Sequence, residues 1–139
     1  MQVKTYEELT KDELLQILQL RQKIFIIEQN SLFSDIDGND RNSIHIFSTH
    51  DQEIKQYCRV FIGNEITLGR VLVNPKYRGN GSGRELLDYA IQYIQKNYPK
   101  NKIHISAMLY LEKFYTSLGF IKKSNPYEVA NHMHIDMTL

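Results

Sequence analysis

The residues from 71 to 87 hold the densest chemistry in this chain of 139 residues. An apolar stretch, Val71, Leu72 and Val73, runs through Pro75 into a loop with Gly79, Gly81 and Gly83. The loop opens a helix at Arg84-Glu85-Leu86-Leu87. Glycines at this spacing let successive backbone N–H groups turn inward together and leave no Cβ in a ligand's path. The first amides of a helix have no intrahelical acceptor, and the helix dipole is positive at that end. Strand, glycine loop and helix in that order predict a phosphate or pyrophosphate site. Two other phosphate loops do not fit. A Walker A loop carries Lys-Ser or Lys-Thr after its last glycine, where this chain has Arg84-Glu85. A dinucleotide fingerprint needs G-x-G-x-x-G and an acid about 20 positions on. Here the glycines alternate, and 98–102 holds no acid.

Three further groups carry titratable side chains. The segment 114–120, Phe-Tyr-Thr-Ser-Leu-Gly-Phe, sets a phenol, Tyr115, near a helix end. Read alone, Tyr115 is a core aromatic beside Phe114. Arg21 through Glu28-Gln29 is followed by Asp35, Asp37 and Asp40 around Gly38, and then by His45. Capping and turn structure compete with chemistry for each of these carboxylates. At the end of the chain His132, His134 and Asp136 share one face of an alternating segment. They could ligate a divalent ion, but no second cluster completes a site, and no metal is expected. The one cysteine, Cys58, rules out an intramolecular disulfide and suits a reducing cytoplasm. On a strand, with Arg59 turned to the other side, it reads as a buried, inert thiol.

The elements that must position these groups are visible in the hydrophobic pattern. Thr10 with Glu13 reads as a capping box, and the apolar spacing after it predicts a helix over 11–28. The polar stretch 30–43 is a loop with room for a short turn. Strands are expected over 44–50, 54–62 and 66–73, joined by tight turns at Asp51-Gln52 and Gly63-Asn64 as an antiparallel meander. A second helix runs over 81–97 with Leu86, Leu87, Ala90, Ile91 and Ile94 as its buried stripe, stopped by Pro99. The strand expected over 102–106 is then parallel to 66–73, as in a right-handed βαβ unit. A third helix over 109–118 ends at Gly119; strands follow over 120–123 and 132–139.

The R-x-x-G-x-G pattern of Arg78, Gly81 and Gly83, after a Val-Asn-Pro strand exit, resembles the acyl-CoA pyrophosphate loop of the GNAT N-acetyltransferase superfamily. The helix end Arg21-Gln22-Lys23-Ile24-Phe25-Ile26-Ile27-Glu28-Gln29, the aspartate loop, His45 and the closing His134-Ile135-Asp136-Met137 together resemble its ElaA-like branch. The resemblance covers nearly the whole chain. It implies one domain over 1–139, with a mixed, mostly antiparallel α/β sheet. A central parallel pair would splay apart, and helices would cover both faces. It implies acetyl-CoA as acetyl donor, its pantetheine arm paired with the backbone of Val71, Leu72 and Val73. The pyrophosphate would rest on the amides of Gly79, Asn80, Gly81, Ser82, Gly83 and Arg84, with Arg78 or Arg84 adding charge-assisted bonds where they are not simply solvated. Tyr115 holds the spacing of the tyrosine that sits near the acyl-CoA sulfur in GNAT enzymes, so it is the expected proton donor to the leaving thiolate. Two departures stand out: Ala107-Met108 where the branch usually has Ala-Gln, and Met133 where it often has Pro.

Such an enzyme passes the acetyl group directly to a primary amine. An amine with a pKa of about 10.4 must first lose a proton. The candidate acceptors of that proton are Glu28, Asp35, Asp37, His45, His132 and His134, of which Glu28 and His134 are preferred. The acceptor itself, a small molecule or a peptide, would be walled by 30–43 and 125–131. The aspartates suggest a cationic amine such as a polyamine or aminoglycoside. The competing readings are a non-catalytic acyl-CoA sensor and an acetyltransferase for protein N-termini or lysines. A formal net charge of +1, from 17 basic and 16 acidic residues, argues against nucleic acid or a membrane surface as partner. The N-terminal residues hold no signal-peptide pattern, and no apolar run approaches a membrane span, so a cytoplasmic protein is expected. Dimers are common among similar proteins, so a homodimer is open.

Overall fold

The computed structural model describes residues 1–139. Helix α1 (Lys11–Arg21) begins where Thr10 Oγ1 accepts from the Glu13 amide at 3.0 Å and the Glu13 carboxylate accepts from the Thr10 amide at 2.8 Å. That reciprocal cap is the one the sequence predicts. The helical run reaches Glu28 as expected, but its winding changes: Gln22–Glu28 is a π-helix. The wider turn brings Phe25 and Gln29 to the edge of the cleft described below.

The meander is present as β2 (Ser43–His50), β3 (Glu53–Ile62) and β4 (Ile66–Val73), preceded by β1 (Gln2–Thr5), which the sequence pattern did not reveal. β1 pairs antiparallel with β2 from Gln2↔Phe47 to Thr5↔Ile44. Helix α2 (Ser82–Asn97) leads into β5 (Ile103–Met108), and a 3-10 turn (Leu109–Leu111) precedes α3 (Glu112–Ser117). Short strands β6 (Ile121–Lys122) and β7 (Tyr127–Val129) both pair with β8 (His132–Thr138). The stretch 125–131, expected as part of the acceptor wall, carries strand β7 in its middle. The sheet order is β1-β2-β3-β4-β5-β8-β6, with β7 also on β8. Only the β4–β5 pair is parallel.

Helices cover both faces. On one, Leu86, Leu87, Ala90 and Ile94 of α2 pack on Cys58, Val60 and Ile105, and α3 adds Tyr115. On the other, Ile17 and Ile24 pack on Phe47, Ile54, Tyr57 and Leu72. Each such side chain contributes roughly 1.5–3 kcal/mol by leaving water. The second core reaches no further than Leu72 on β4. Beyond it, on the same face, β5 and β8 present His104, Ser106, His134 and Asp136, none of them buried. No helix is long and apolar enough to cross a membrane.

Candidate active site

The cleft originates in one extra residue of β4. Tyr57 of β3 faces Leu72, yet Arg59 faces Gly69, so three steps of β4 match two of β3. This is a β-bulge at Arg70 and Val71, and it bends β4 away from β5. Arg70 takes φ +52°, a left-handed conformation that costs a non-glycine residue about 1–3 kcal/mol. On the other side β4 pairs with β5 only at Ile66↔Ile103 and Thr67↔His104. Past that point the two strands separate, and a cleft of about 290 Å³ opens between 68–71 and 105–108. The open edge of β4 offers unpaired backbone groups of the kind an extended amide arm can join as an added strand.

Tyr115 and His134 line this cleft from opposite faces of the sheet. Tyr115 is 6% exposed, and its hydroxyl makes no hydrogen bond within the protein. Burial pushes its pKa up to about 12, so the phenol keeps its proton at neutral pH. His134 has Nδ1 at 2.8 Å from the His132 carbonyl oxygen. A carbonyl only accepts, so Nδ1 carries the proton and the neutral ring keeps a lone pair on Nε2. The ring stacks on Tyr127, whose hydroxyl donates to Asp136 and lies 2.6 Å from Ser106 Oγ. His132 is spent otherwise: its Nε2 donates to the Gln29 carbonyl at 2.7 Å, tying β8 to the end of the π-helix.

The glycine loop reaches α2 as the sequence predicts. Gly79 and Gly81 take φ +86° and +81°, and a Cβ on either would point into open space. The first α2 bond runs from the Glu85 amide to the Gly81 carbonyl. The amides of Ser82, Gly83 and Arg84 therefore have no intrahelical acceptor, and no turn bond uses those of Gly79, Asn80 or Gly81. An open concavity lined by free N–H groups at a helix N-terminus fits a pyrophosphate. At Gly83 a Cβ would meet the Val73 methyl at 3.7 Å, an ordinary contact, so packing alone does not require glycine there. Both arginines are engaged within the protein. Arg78 bonds the Val73 carbonyl at 3.1 Å and Glu28 at 2.7 Å; Arg84 bonds Ser117 Oγ at 2.9 Å. The backbone, more than the guanidinium groups, is free to bind an anion here.

Several expected site residues lie elsewhere. Glu28 faces the glycine loop through Arg78 and does not line the cleft with Tyr115 and His134. Asp35, Asp37 and Asp40 do not form an open acidic groove. They are neutralised by Arg21, Arg59 and Arg70, and Asp35 and Asp40 are buried. Burial opposes the charges of Asp37 and Asp40, but their arginine partners outweigh it and hold both below the usual carboxylate range. His45 is fully buried: Nε2 donates to the Asp40 carbonyl and Nδ1 accepts from Tyr57. Neither Asp35, Asp37 nor His45 can reach an acceptor as a base. Ala107 and Met108 make one wall of the cleft apolar, and Phe33, Tyr110 and Val129 add exposed apolar surface at its rim. No group of three or more His, Cys, Asp or Glu is arranged for a metal ion. Sequence reasoning missed Arg70, Ser106 and Tyr127. Nothing local marks Arg70 as left-handed. Ser106 and Asp136 become neighbours only through the β5–β8 register, and Tyr127 joins them through the β7–β8 pairing.

Residues 7–139 match the family model described as an acetyltransferase (GNAT) domain. The chain is 31% identical to the protein ElaA of Escherichia coli over 138 residues, which span 95% of this chain and 90% of that one. The chain belongs to the GNAT acyl-CoA N-acyltransferase superfamily, in its ElaA-like branch. The crystal structure of Escherichia coli ElaA superposes with a TM-score of 0.93 at 32% identity, covering 99% of this chain and 96% of that one. An acyl-CoA N-acyltransferase from Pseudomonas aeruginosa gives 0.94 at 27% identity, with 99% and 96% covered. A UPF0039 protein of Synechocystis sp. is 36% identical over 137 residues, 95% of this chain and 89% of that one. The mixed sheet with its parallel β4–β5 pair among antiparallel strands is that of the GNAT fold.

Proposed function

We propose that this protein transfers an acetyl group from acetyl-CoA to a primary amine by direct attack, without a covalent enzyme intermediate. One observation carries the reading. A buried phenol with no internal partner, Tyr115, and an imidazole with a free Nε2, His134, line one cleft between the splayed strands. Acetyl-CoA supplies an activated thioester. The amides from Gly79 to Arg84 hold its pyrophosphate, and the open edge of β4 from Val71 to Val73 aligns its arm. His134 takes the proton of the incoming amine on Nε2. Tyr115 gives its proton to the departing sulfur. These two groups enter the cleft from opposite faces of the sheet, so one can reach the amine and the other the sulfur. The rim of Phe33, Tyr110 and Val129 favours an amine borne on an apolar group over a polycation, because Asp35, Asp37 and Asp40 are already paired with arginines. A peptide amine fits the same rim.

The test is calorimetric titration of acetyl-CoA and free CoA into the protein and its Gly81→Asp variant, followed by an amine panel monitored through released CoA. Micromolar binding lost in the variant, with turnover of at least one amine, is expected. Binding without turnover of any amine would leave the acyl-CoA sensor as the function. No binding would remove the enzyme altogether.

A further inference from the structure

We propose that Arg70 is a positioning residue, which holds the acyl-binding bulge of β4 and the acceptor-wall loop 30–43 in one arrangement through a closed ring of six alternating charges. The proposal rests on reading the cleft as an acyl-transfer site. The ring runs Asp35–Arg21–Asp40–Arg59–Asp37–Arg70 and back to Asp35, with N···O distances of 2.9, 2.7, 3.2, 2.8, 3.3 and 2.7 Å. Each charge has two neighbours of opposite sign, so three positive and three negative groups cancel; Arg21, Asp35, Asp40 and Arg59 are buried, while Asp37 and Arg70 are partly open to solvent. Five of the six edges are hydrogen bonds; the sixth, Arg70 Nε to Asp35 Oδ1, is an ion pair alone, with Arg70 bonding the Asp35 carbonyl. Buried charges paired in this way are tolerable, and removing one partner exposes the others. The corners come from four segments: the end of α1, the aspartate loop, β3 and the bulge of β4. No two of these segments can shift independently while the ring is closed.

Arg70 differs from the other two arginines in what its backbone does. Arg21 sits in a helix and Arg59 in a regular strand, whereas Arg70 is the left-handed residue of the bulge. Its side chain also bonds the Asp35 carbonyl at 3.1 Å and lies 5.0 Å from the centre of the Phe33 ring. Phe33 and Ser31 of the loop line the cleft, and so does Arg70 itself. Arg70 thus belongs to the bulge of β4 through its backbone and holds the loop through its guanidinium. Arg70 is also the least compensated corner. Burial, and then repulsion from Arg59, hold its pKa below the ordinary arginine value, while attraction from Asp35 and Asp37 falls short of offsetting them. Asp35 keeps Arg21, and Asp37 keeps Arg59, when Arg70 is replaced. The ring then opens without leaving a lone buried charge, so variants here remain folded enough to assay.

Two substitutions separate the two roles. Arg70→Ala removes the side chain and keeps the backbone penalty at positive φ; Arg70→Gly removes both. The measurements are steady-state kinetics with acetyl-CoA and the best amine of the panel, acetyl-CoA affinity by calorimetry, and hydrogen exchange of the free proteins. Arg70→Ala is expected to lower kcat about 10- to 100-fold, the scale of a small misplacement of reacting groups. Its acetyl-CoA affinity should stay within about threefold, because the glycine loop is untouched. Arg70→Gly should recover most of that kcat while the KM for the amine stays raised, and amides of 30–40 should exchange faster in both variants. A role in stability alone predicts that glycine exceeds alanine only by the backbone penalty and that kcat in both variants, corrected for the folded fraction, equals that of the unmodified protein; that result overturns the proposal. If the unmodified protein acetylates no amine, the function proposed above fails by itself. Hydrogen exchange still decides this inference, because unchanged protection of 30–40 in Arg70→Ala would overturn it.

Discussion

Tyr115 shows how an environment sets a protonation state. Its ring packs edge-on against Phe114 and Phe120, and burial pushes its pKa up to about 12. The phenol is therefore in its proton-donating form throughout the physiological range and beyond pH 10. Tyr115→Phe should lower kcat by about 10²- to 10⁴-fold, the usual contribution of a general acid, with acetyl-CoA affinity unchanged by calorimetry. The alkaline side of the kcat/KM profile should show no loss assignable to this residue below about pH 11. A decline with a midpoint under pH 10 that vanishes in Tyr115→Phe would contradict the assignment. His134 is fixed by a different device, a backbone carbonyl that dictates its tautomer. His134→Gln should also lose kcat while acetyl-CoA affinity by calorimetry, which the proposal assigns chiefly to the amides from Gly79 to Arg84, changes little.

At the scale of elements, the parts that local chemistry encodes were legible and the parts set by pairing were not. The Thr10–Glu13 cap, the Asp51-Gln52 turn at φ +48° and +64°, and the glycine entry to α2 each carry their own residue signature. The hairpin of β7 and β8 turns through Ala130 and Asn131 at φ +50° and +66°. That geometry belongs to a type I′ turn, whose usual signature is Asn-Gly, and Ala-Asn conceals it. An alanine in left-handed conformation costs about 1–2 kcal/mol. Ala130→Gly should therefore raise stability to unfolding in urea by roughly 0.5–1 kcal/mol, the relief of strain being partly offset by a freer unfolded chain. The π-helix, the bulge at Arg70 and strand β1 share the same obscurity. Each exists because a distant partner compels it, and no short window of residues announces that partner. The glycine loop was readable because its geometry lies in the loop's own backbone. Glu28 and His134, both preferred from the sequence, could not be ranked there, because they differ only in where the tertiary fold carries them.

For the molecule as a whole, buried titratable groups tie stability to pH. His45 is held below its ordinary pKa by burial first, with Arg21 and Arg59 adding to the effect. The unfolded chain binds a proton at about pH 6.5, which the folded one refuses. Stability from this residue is thus complete above that value and drains as pH falls toward the lower folded pKa, by at most about 1.4 kcal/mol per pH unit. Thermal melts between pH 7.5 and 5 should show a falling midpoint, and His45→Gln should flatten the slope. Asp37 and Asp40 act in the same direction further down. Their depressed values give stability that is full above about pH 4 and lost as pH drops below it. Cys58 opens a different use of the fold. It lies fully buried in the central sheet, and burial raises its thiol pKa well above the ordinary value. A thiol reagent that colours with free CoA would leave it untouched while the sheet is closed. Product release could then be followed in real time with no background from the enzyme. The same reagent, in the absence of substrate, would become a stopwatch for the rare moments when the sheet parts.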